Sequence, residues 1–449
     1  MGAGIALLAG VVGGASSASM ASAQGGAQLL ARGGHVSGVA RQAARGSLAN
    51  GLAPSATCST PGGGNYKADC NSTGRATNET SIANNGVTFV AGANDYNSYN
   101  GQADLGYYTS TDAKTWTDNG PLDLFAHDAN HAAGDPGLAI DSAGVVYYSG
   151  ISFSYVDCNF GGLELARRDP GSGTWTYYEI APNSDAQFQD KPAILQDDRR
   201  VFVSWTQYGS CTGVGVTSPI KVAAFAGGST SIAPRRILSV PGSTYSQGSA
   251  MASDGRGGFW ITWEEYPSSS ATIGSIMLAH FRLHGGWSAL QTISPAGFMD
   301  LPSPLPGFGF RNNSFPMIAV VDHQPKVVWT SYDTGAGRCY LWSSGSVTKV
   351  SDSGGDQFFP AIAVDATGAL AISFSQTQAS DSSYDRYLSF NGSVTKVSTA
   401  SSFPNSDPFF RGAFIGDYES ITALGATAHP IWTDVRGPSF AQNAMVYSP

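Results

Sequence analysis

The sequence predicts an all-β chain, a seven-bladed β-propeller of four-stranded antiparallel blades, on three observations. First, a segment of the form x-Pro-x-Ile-Ala recurs. Its best copies are Asp135-Pro136-Gly137-Leu138-Ala139, Lys191-Pro192-Ala193-Ile194-Leu195, Phe315-Pro316-Met317-Ile318-Ala319 and Phe359-Pro360-Ala361-Ile362-Ala363, with weaker ones around Thr80, Ser249 and Glu419. Successive anchors stand 56, 56, 57, 67, 44 and 59 residues apart. A period of that size describes a unit of several short strands that cannot bury its faces without its neighbours. Second, Trp205, Trp263, Trp329 and Trp432 follow their anchors by 13 or 14 residues, with Phe374 in the same slot, which predicts an aromatic layer between blades. Third, 56 Gly and 23 Pro among abundant Ser, Thr and Val suit many short strands joined by tight turns.

In chain order, residues 1–23 are expected to be a signal peptide. An apolar core at 5–12 leads to Ala21-Ser22-Ala23, the small-x-small pattern of a cleavage site, so the mature protein is expected outside the cell. The Gly/Ala/Ser-rich stretch 24–57 is expected to be a flexible leader or propeptide. Residues 58–449 are then one propeller domain, and the short tail after Trp432 suggests that blade 7 borrows an outer strand from before Thr80. Gly345-Ser346-Val347-Thr348-Lys349-Val350-Ser351 is repeated identically at 392–398, which predicts matching outer hairpins in blades 5 and 6. The interval 295–315, with Phe298, Phe308 and Phe310, is too long for a plain connector. It is either a flap over the channel or a loop tucked between blades 4 and 5.

Cys158 and Cys211 fall in equivalent loops of adjacent blades and are expected to form a disulfide. Cys58 and Cys70 are the second expected pair, pinning the incoming chain, and Cys339 is left as a buried thiol. The formal charge of −9 disfavours nucleic acid, which requires a basic footprint. No stretch beyond the signal region is long and apolar enough for a membrane span, and the chain is expected to be a monomer.

Ser110-Thr111-Asp112-Ala113-Lys114-Thr115-Trp116 resembles the Asp-box turn of sialidase-type propellers, and Asp169-Pro170-Gly171-Ser172-Gly173-Thr174-Trp175 is a more degenerate copy. In such a turn the Asp accepts backbone N–H bonds and the Trp packs between strands, so the motif staples the fold. Gly134-Asp135-Pro136, the stretch 190–205, and Gly416-Asp417-Tyr418 with Trp432-Thr433-Asp434-x-Arg436 are similar to secreted bacterial proteins of the sialidase-like, BNR-repeat superfamily. The resemblance spans 75–449 and implies a glycan-directed propeller, with six blades as the alternative count. Sialidases of this family place a carboxylate-binding arginine two residues before the proline of a first-strand repeat. Here Asn78, Gly134, Asp190, Gln247, Ser314, Phe358 and Asp417 hold those positions.

Ligands of propellers usually sit over the central channel, on the face where innermost strands begin and second strands end. Arg311, Arg338, Arg411 and Arg436 fall there from blades 5 to 7, with Asp417, Tyr208 and Tyr332 as further substrate-binding candidates. Arginines suit the carboxylate of an anionic sugar because the guanidinium fork matches it bidentately. Asp135 or Asp190 is the candidate general acid, and Tyr266 assisted by Glu265 the candidate nucleophile or base. His131, with His127 four residues earlier, could instead serve a polysaccharide lyase as a proton-transfer pair. No third ligand accompanies them, so neither metal nor cofactor is expected. The expectation is a secreted propeller that hydrolyses a glycosidic bond in an anionic sugar of an extracellular glycan or glycoconjugate, the rival being a propeller that binds carbohydrate or protein without catalysis.

Overall fold

A computed structural model of the chain describes residues 56–58, 62–70, 75–99, 102–122, 131–154, 161–181, 187–197, 199–209, 217–226, 236–288, 290–332, 334–352, 354–378, 381–436 and 441–449. The expected signal segment, most of the leader, and both Cys158 and Cys211 lie outside these residues.

Seven antiparallel sheets form, one for each anchor. Their innermost strands are Thr77–Asn84, His131–Ile140, Phe188–Gln196, Ser246–Ser253, Met317–Val321, Gln357–Val364 and Ser420–Leu424. In blades 1 to 6 the chain then meanders outward through successive neighbouring strands. Among the described residues blade 7 has three strands from its own stretch, and Asn65–Lys67 completes it by pairing with Asn443–Tyr447. Ala56–Thr57, just upstream, pairs instead with the outer strand Thr117–Leu122 of blade 1. The chain therefore straddles the seam between first and last blades. Cys58 and Cys70 form a disulfide across that stretch, their Cα atoms 4.7 Å apart, which ties the two edge segments together.

Packing follows the periodic aromatics. Trp205, Trp263, Trp329, Trp432 and Phe374 are all fully buried, as is Trp116. Each ring presents its area to the facing sheet, which no four-stranded blade could achieve alone. The repeated heptapeptides form the outer hairpins of blades 5 and 6, Ser346–Lys349 pairing with Arg338–Ser343 and Ser393–Lys396 with Ser383–Phe390. The turn after Ser110 is stapled by Asp112, whose Oδ1 accepts the N–H groups of Lys114 at 2.8 Å and Thr115 at 2.7 Å. Cys339 is buried, and burial pushes its thiol well up, so it stays protonated and inert. Among the described residues no helix is long and apolar enough to cross a membrane.

The loop 295–315 is tucked in. Phe298 joins Ile318 and Trp329 in the core between blades 4 and 5, while Phe310 packs on Phe358 and Tyr384 of blade 6, ring centroids 5.5 and 6.3 Å away. Its anchoring brings Arg311 to the axis.

Candidate functional site

The repeat positions the axial side chains through a shared backbone irregularity. In blades 1, 2, 3, 4 and 6 the register of the innermost strand slips just ahead of the Ile-Ala pair. The residue before the proline slot takes a left-handed conformation: Glu79, Asp135, Lys191, Gly248 and Phe359 have φ of 54°, 60°, 51°, 66° and 47°. A bulge of this kind re-aims a side chain away from the pleat. Four of these five residues carry a Cβ, and holding them there costs on the order of 1–3 kcal/mol each, which the surrounding packing must offset.

Blades 1 to 3 use the slot for charge. Glu79, Asp135 and Asp190 are buried completely, and the carboxyls of Glu79 and Asp190 each lie within hydrogen-bond reach of Asp135. Burial pushes both flanking groups well above the usual carboxylate range, and the charge of Asp135 adds to the effect. Glu79 Oε1 and Asp135 Oδ1 meet no N–H or O–H donor among the described residues, a deficit that protons held between the carboxyls remove. Asp135 Oδ2 accepts the Lys191 N–H at 3.0 Å, Asn94 Nδ2 donates to Glu79 at 2.7 Å, and Gln247 Nε2 donates to Asp190 at 2.8 Å. The Lys191 ammonium reaches across the axis to the Tyr418 ring of blade 7, 3.6 Å from its centroid. Burial lowers its pKa to about 8, against the attraction of the three acids. The Tyr418 hydroxyl is buried with no hydrogen-bond partner among the described residues.

Arg311 joins this cluster but is already engaged: Nε donates to Asp417 Oδ1 at 2.6 Å and Nη2 to Oδ2. Its guanidinium lies 5.6 Å from the Phe414 ring. Phe414 and Phe410 belong to the segment joining blades 6 and 7, which is moored to blade 1. Gln442 donates to the Phe414 carbonyl at 2.6 Å and accepts from Asn78 at 2.8 Å. Tyr96 meets the Phe410 edge at 5.1 Å. The axial acids are thus covered by the protein's own chain.

The other sequence candidates scatter. Arg338 donates to the carbonyls of Gly337 and Gly355, Arg436 grips Asp434 through Nε at 2.8 Å, and Arg411 is exposed, so the four arginines share no partner. Glu265 is spent on local structure, accepting from Thr244 N, Tyr245 N and Trp263 Nε1. Tyr266 turns to Glu264 and Asp300 instead, its hydroxyl 3.1 and 2.7 Å from their carboxyl oxygens, and burial together with the Asp300 charge raises Glu264 well above its usual range. Tyr208 donates to Gln247 and so supports Asp190 from behind. Tyr332 is half-buried, with its N–H on the Met299 carbonyl at 3.0 Å. His131 begins the innermost strand of blade 2, and its side chain and all of His127 lie outside the described residues.

Glu79, Lys191 and Tyr418 are not among the site candidates the sequence offers, yet the signal for them is there. Each occupies the slot that Asp135 occupies in its own blade.

No protein-family model matches the chain, and no curated protein sequence does. Solved structures similar to it include a protein of unknown function from Dyadobacter fermentans, with TM-score 0.46 and 11% identity over 71% of this chain and 95% of that one. A Trypanosoma rangeli sialidase in complex with the inhibitor DANA gives TM-score 0.44 and 9% identity over 71% of this chain and 55% of that one. A Penicillium chrysogenum alpha-L-arabinanase complexed with arabinobiose gives 0.42 and 13% over 67% and 89%. At such identities these likenesses bear on no residue's role.

Proposed function

We propose that the protein hydrolyses glycosidic bonds in extracellular glycans, with Asp135 and its two carboxyl neighbours as the catalytic set. The observation that carries this reading is the Glu79–Asp135–Asp190 trio, three acids from three blades held at one point on the axis. Glycoside hydrolysis needs one carboxylic acid kept protonated to release the leaving oxygen and one carboxylate to act as nucleophile or to activate water. Glu79 or Asp190, neutral by burial, suits the first role, and Asp135, which accepts from its neighbours and from Lys191 N, suits the second. Lys191 supplies a cation beside the developing charge. A preference for anionic sugars finds no support at the axis, since Arg311 is neutralised by Asp417 and the other three arginines lie elsewhere. A sugar reaches the trio only when the segment carrying Phe410 and Phe414 moves aside.

Complete burial of the trio favours a second reading, a propeller that binds without catalysis. One experiment separates the two. The chain is incubated with sialosides, neutral polysaccharides and uronic-acid polysaccharides while reducing ends and the ultraviolet absorbance of unsaturated products are followed together. New reducing ends without absorbance, lost in Asp135→Asn, are the expected result. Absorbance would move the chemistry to a lyase and to His131, and silence on every substrate would leave the binding propeller.

A further inference from the structure

The turns at the opposite end of blades 1 and 2 enclose an open groove of 850 Å3. One wall is the turn 85–88 and the Asp112 turn of blade 1, and the other is the turns 142–144 and 168–173 of blade 2. Hydroxyls and amides, among them Thr88, Thr109, Thr117 and Asn119, share the lining about equally with apolar groups such as Val87, Ile140 and Pro170. Arg168 is the fixed cation of this wall. Its guanidinium lies over Tyr107, 5.3 Å from the centroid, and 5.9 Å from that of Trp175, while Nε donates to the Ser172 carbonyl at 2.8 Å. The neighbouring Arg167 is taken by Asp169 at 2.5 Å, but no carboxylate pairs with Arg168 among the described residues. Asp112, nearby, spends its oxygens inside its own turn.

We propose that this groove binds an acidic oligosaccharide, Arg168 taking a sugar carboxylate and the surrounding hydroxyls taking sugar hydroxyls. A guanidinium already held by two rings and a carbonyl loses little freedom on meeting a carboxylate, so its charge-assisted bonds are realised nearly in full. An extended peptide is the poorer fit. Peptides that dock on sheets add a strand to an open edge, and the outer strand of blade 1 is already paired with Ala56–Thr57, which leaves such docking only the outer strand Thr176–Ala181 of blade 2 among the described residues. The groove lies at the far end from the axial acids, so it stands whether or not the trio cleaves. It also supplies the affinity for anionic sugar that the axis lacks.

The test is calorimetric titration of the full chain with hexagalacturonate and with its fully methyl-esterified form, at low and high salt. Saturable binding of the acid is expected, at least tenfold weaker for the ester, weakened by salt, and reduced about tenfold or more in Arg168→Gln. Because Arg168 also packs on Tyr107, a second variant is needed: Ala143→Trp fills the groove from an exposed turn and is expected to abolish binding with the melting temperature unchanged. Equal affinity for acid and ester, binding that survives both variants, or no binding of the acid would each overturn the proposal.

Discussion

In blades 1 to 3 the left-handed slot ahead of the repeat's Ile-Ala pair holds Glu79, Asp135 and Lys191, whereas in blades 4 and 6 the same slot, on the same bulged backbone, holds Gly248 and Phe359. The first group gathers charge around Asp135. The second closes the axis with apolar surface: a Cβ on Gly248 would stand 2.3 Å from the Phe315 ring, and Phe359 packs edge-on against Phe358 at 5.1 Å. The bulge is therefore a property of the fold, kept wherever the blade must turn a side chain to the axis. What the side chain does there is decided blade by blade. The slot carries charge in blades 1 to 3 and none in blades 4 and 6, and burial raises the pKa of the enclosed acids.

The largest test of this division is Asp135→Asn against Phe359→Ala. Removing the central carboxylate while keeping its size is expected to lower turnover about 1000-fold on any substrate the protein cleaves, with the melting temperature nearly unchanged. Truncating Phe359, which is 2% exposed, is expected to cost about 4 kcal/mol of unfolding free energy in a urea titration. Turnover per folded molecule should survive. If Phe359→Ala instead inactivates a folded protein, the apolar half takes part in the chemistry and the division is wrong.

Gly416→Ala probes how tightly the charged half is placed. Gly416 has φ of 98°, and a Cβ there would lie 2.7 Å from Glu79 N, so the blade 7 backbone abuts the bulge of blade 1. The substitution is expected to cost about 2 kcal/mol from backbone strain and to shift Glu79 away from Asp135. Its activity loss should exceed that of Phe359→Ala although its stability loss is smaller. Activity intact in folded Gly416→Ala would show that the trio tolerates displacement, which a positioned acid does not.

The seven blades and the aromatic layer were legible because they are periodic, and the borrowed strand of blade 7 because the tail after Trp432 is too short to complete that blade. Trp205, Trp263, Trp329 and Trp432 recur at the spacing of the fold itself. The site was half legible. Asp135 and Asp190 could be placed at the axis from their offset to the proline. Glu79 and Lys191, one residue from positions that were inspected, were missed because a regular strand alternates faces and a bulge does not. The arginines misled for a different reason. Arg311, Arg338 and Arg436 share one end of the sequence repeat, but whether a guanidinium faces a ligand or a neighbouring carboxylate is settled by contacts more than 100 residues away in the first case, Asp417, and two residues away in the last, Asp434. Periodicity carries no information about either.

The most specific effect is that of Glu79→Gln. Burial, then the charge of Asp135, raises the folded pKa of Glu79 well above its ordinary 4.5. The folded state therefore keeps a proton that the unfolded chain has given up above that value. The stabilisation this proton represents is fully present below pH 4.5 and is lost as pH rises through the folded value, because stability falls with pH wherever the native state binds more protons. Asp69, raised to about 6, and Glu419, raised to about 7, contribute with the same sign and remain in the variant. The informative quantity is thus the difference between the two stability curves measured by urea unfolding across a pH series. Glutamine keeps the donor that faces Asp135 and cannot titrate, so the variant is expected to gain on the native protein steadily above pH 4.5. A flat difference would mean that Glu79 enters the fold ionised. The acid of the trio would then be Asp190 alone, and the charged half of the axis would divide once more, between blade 1 and blade 3.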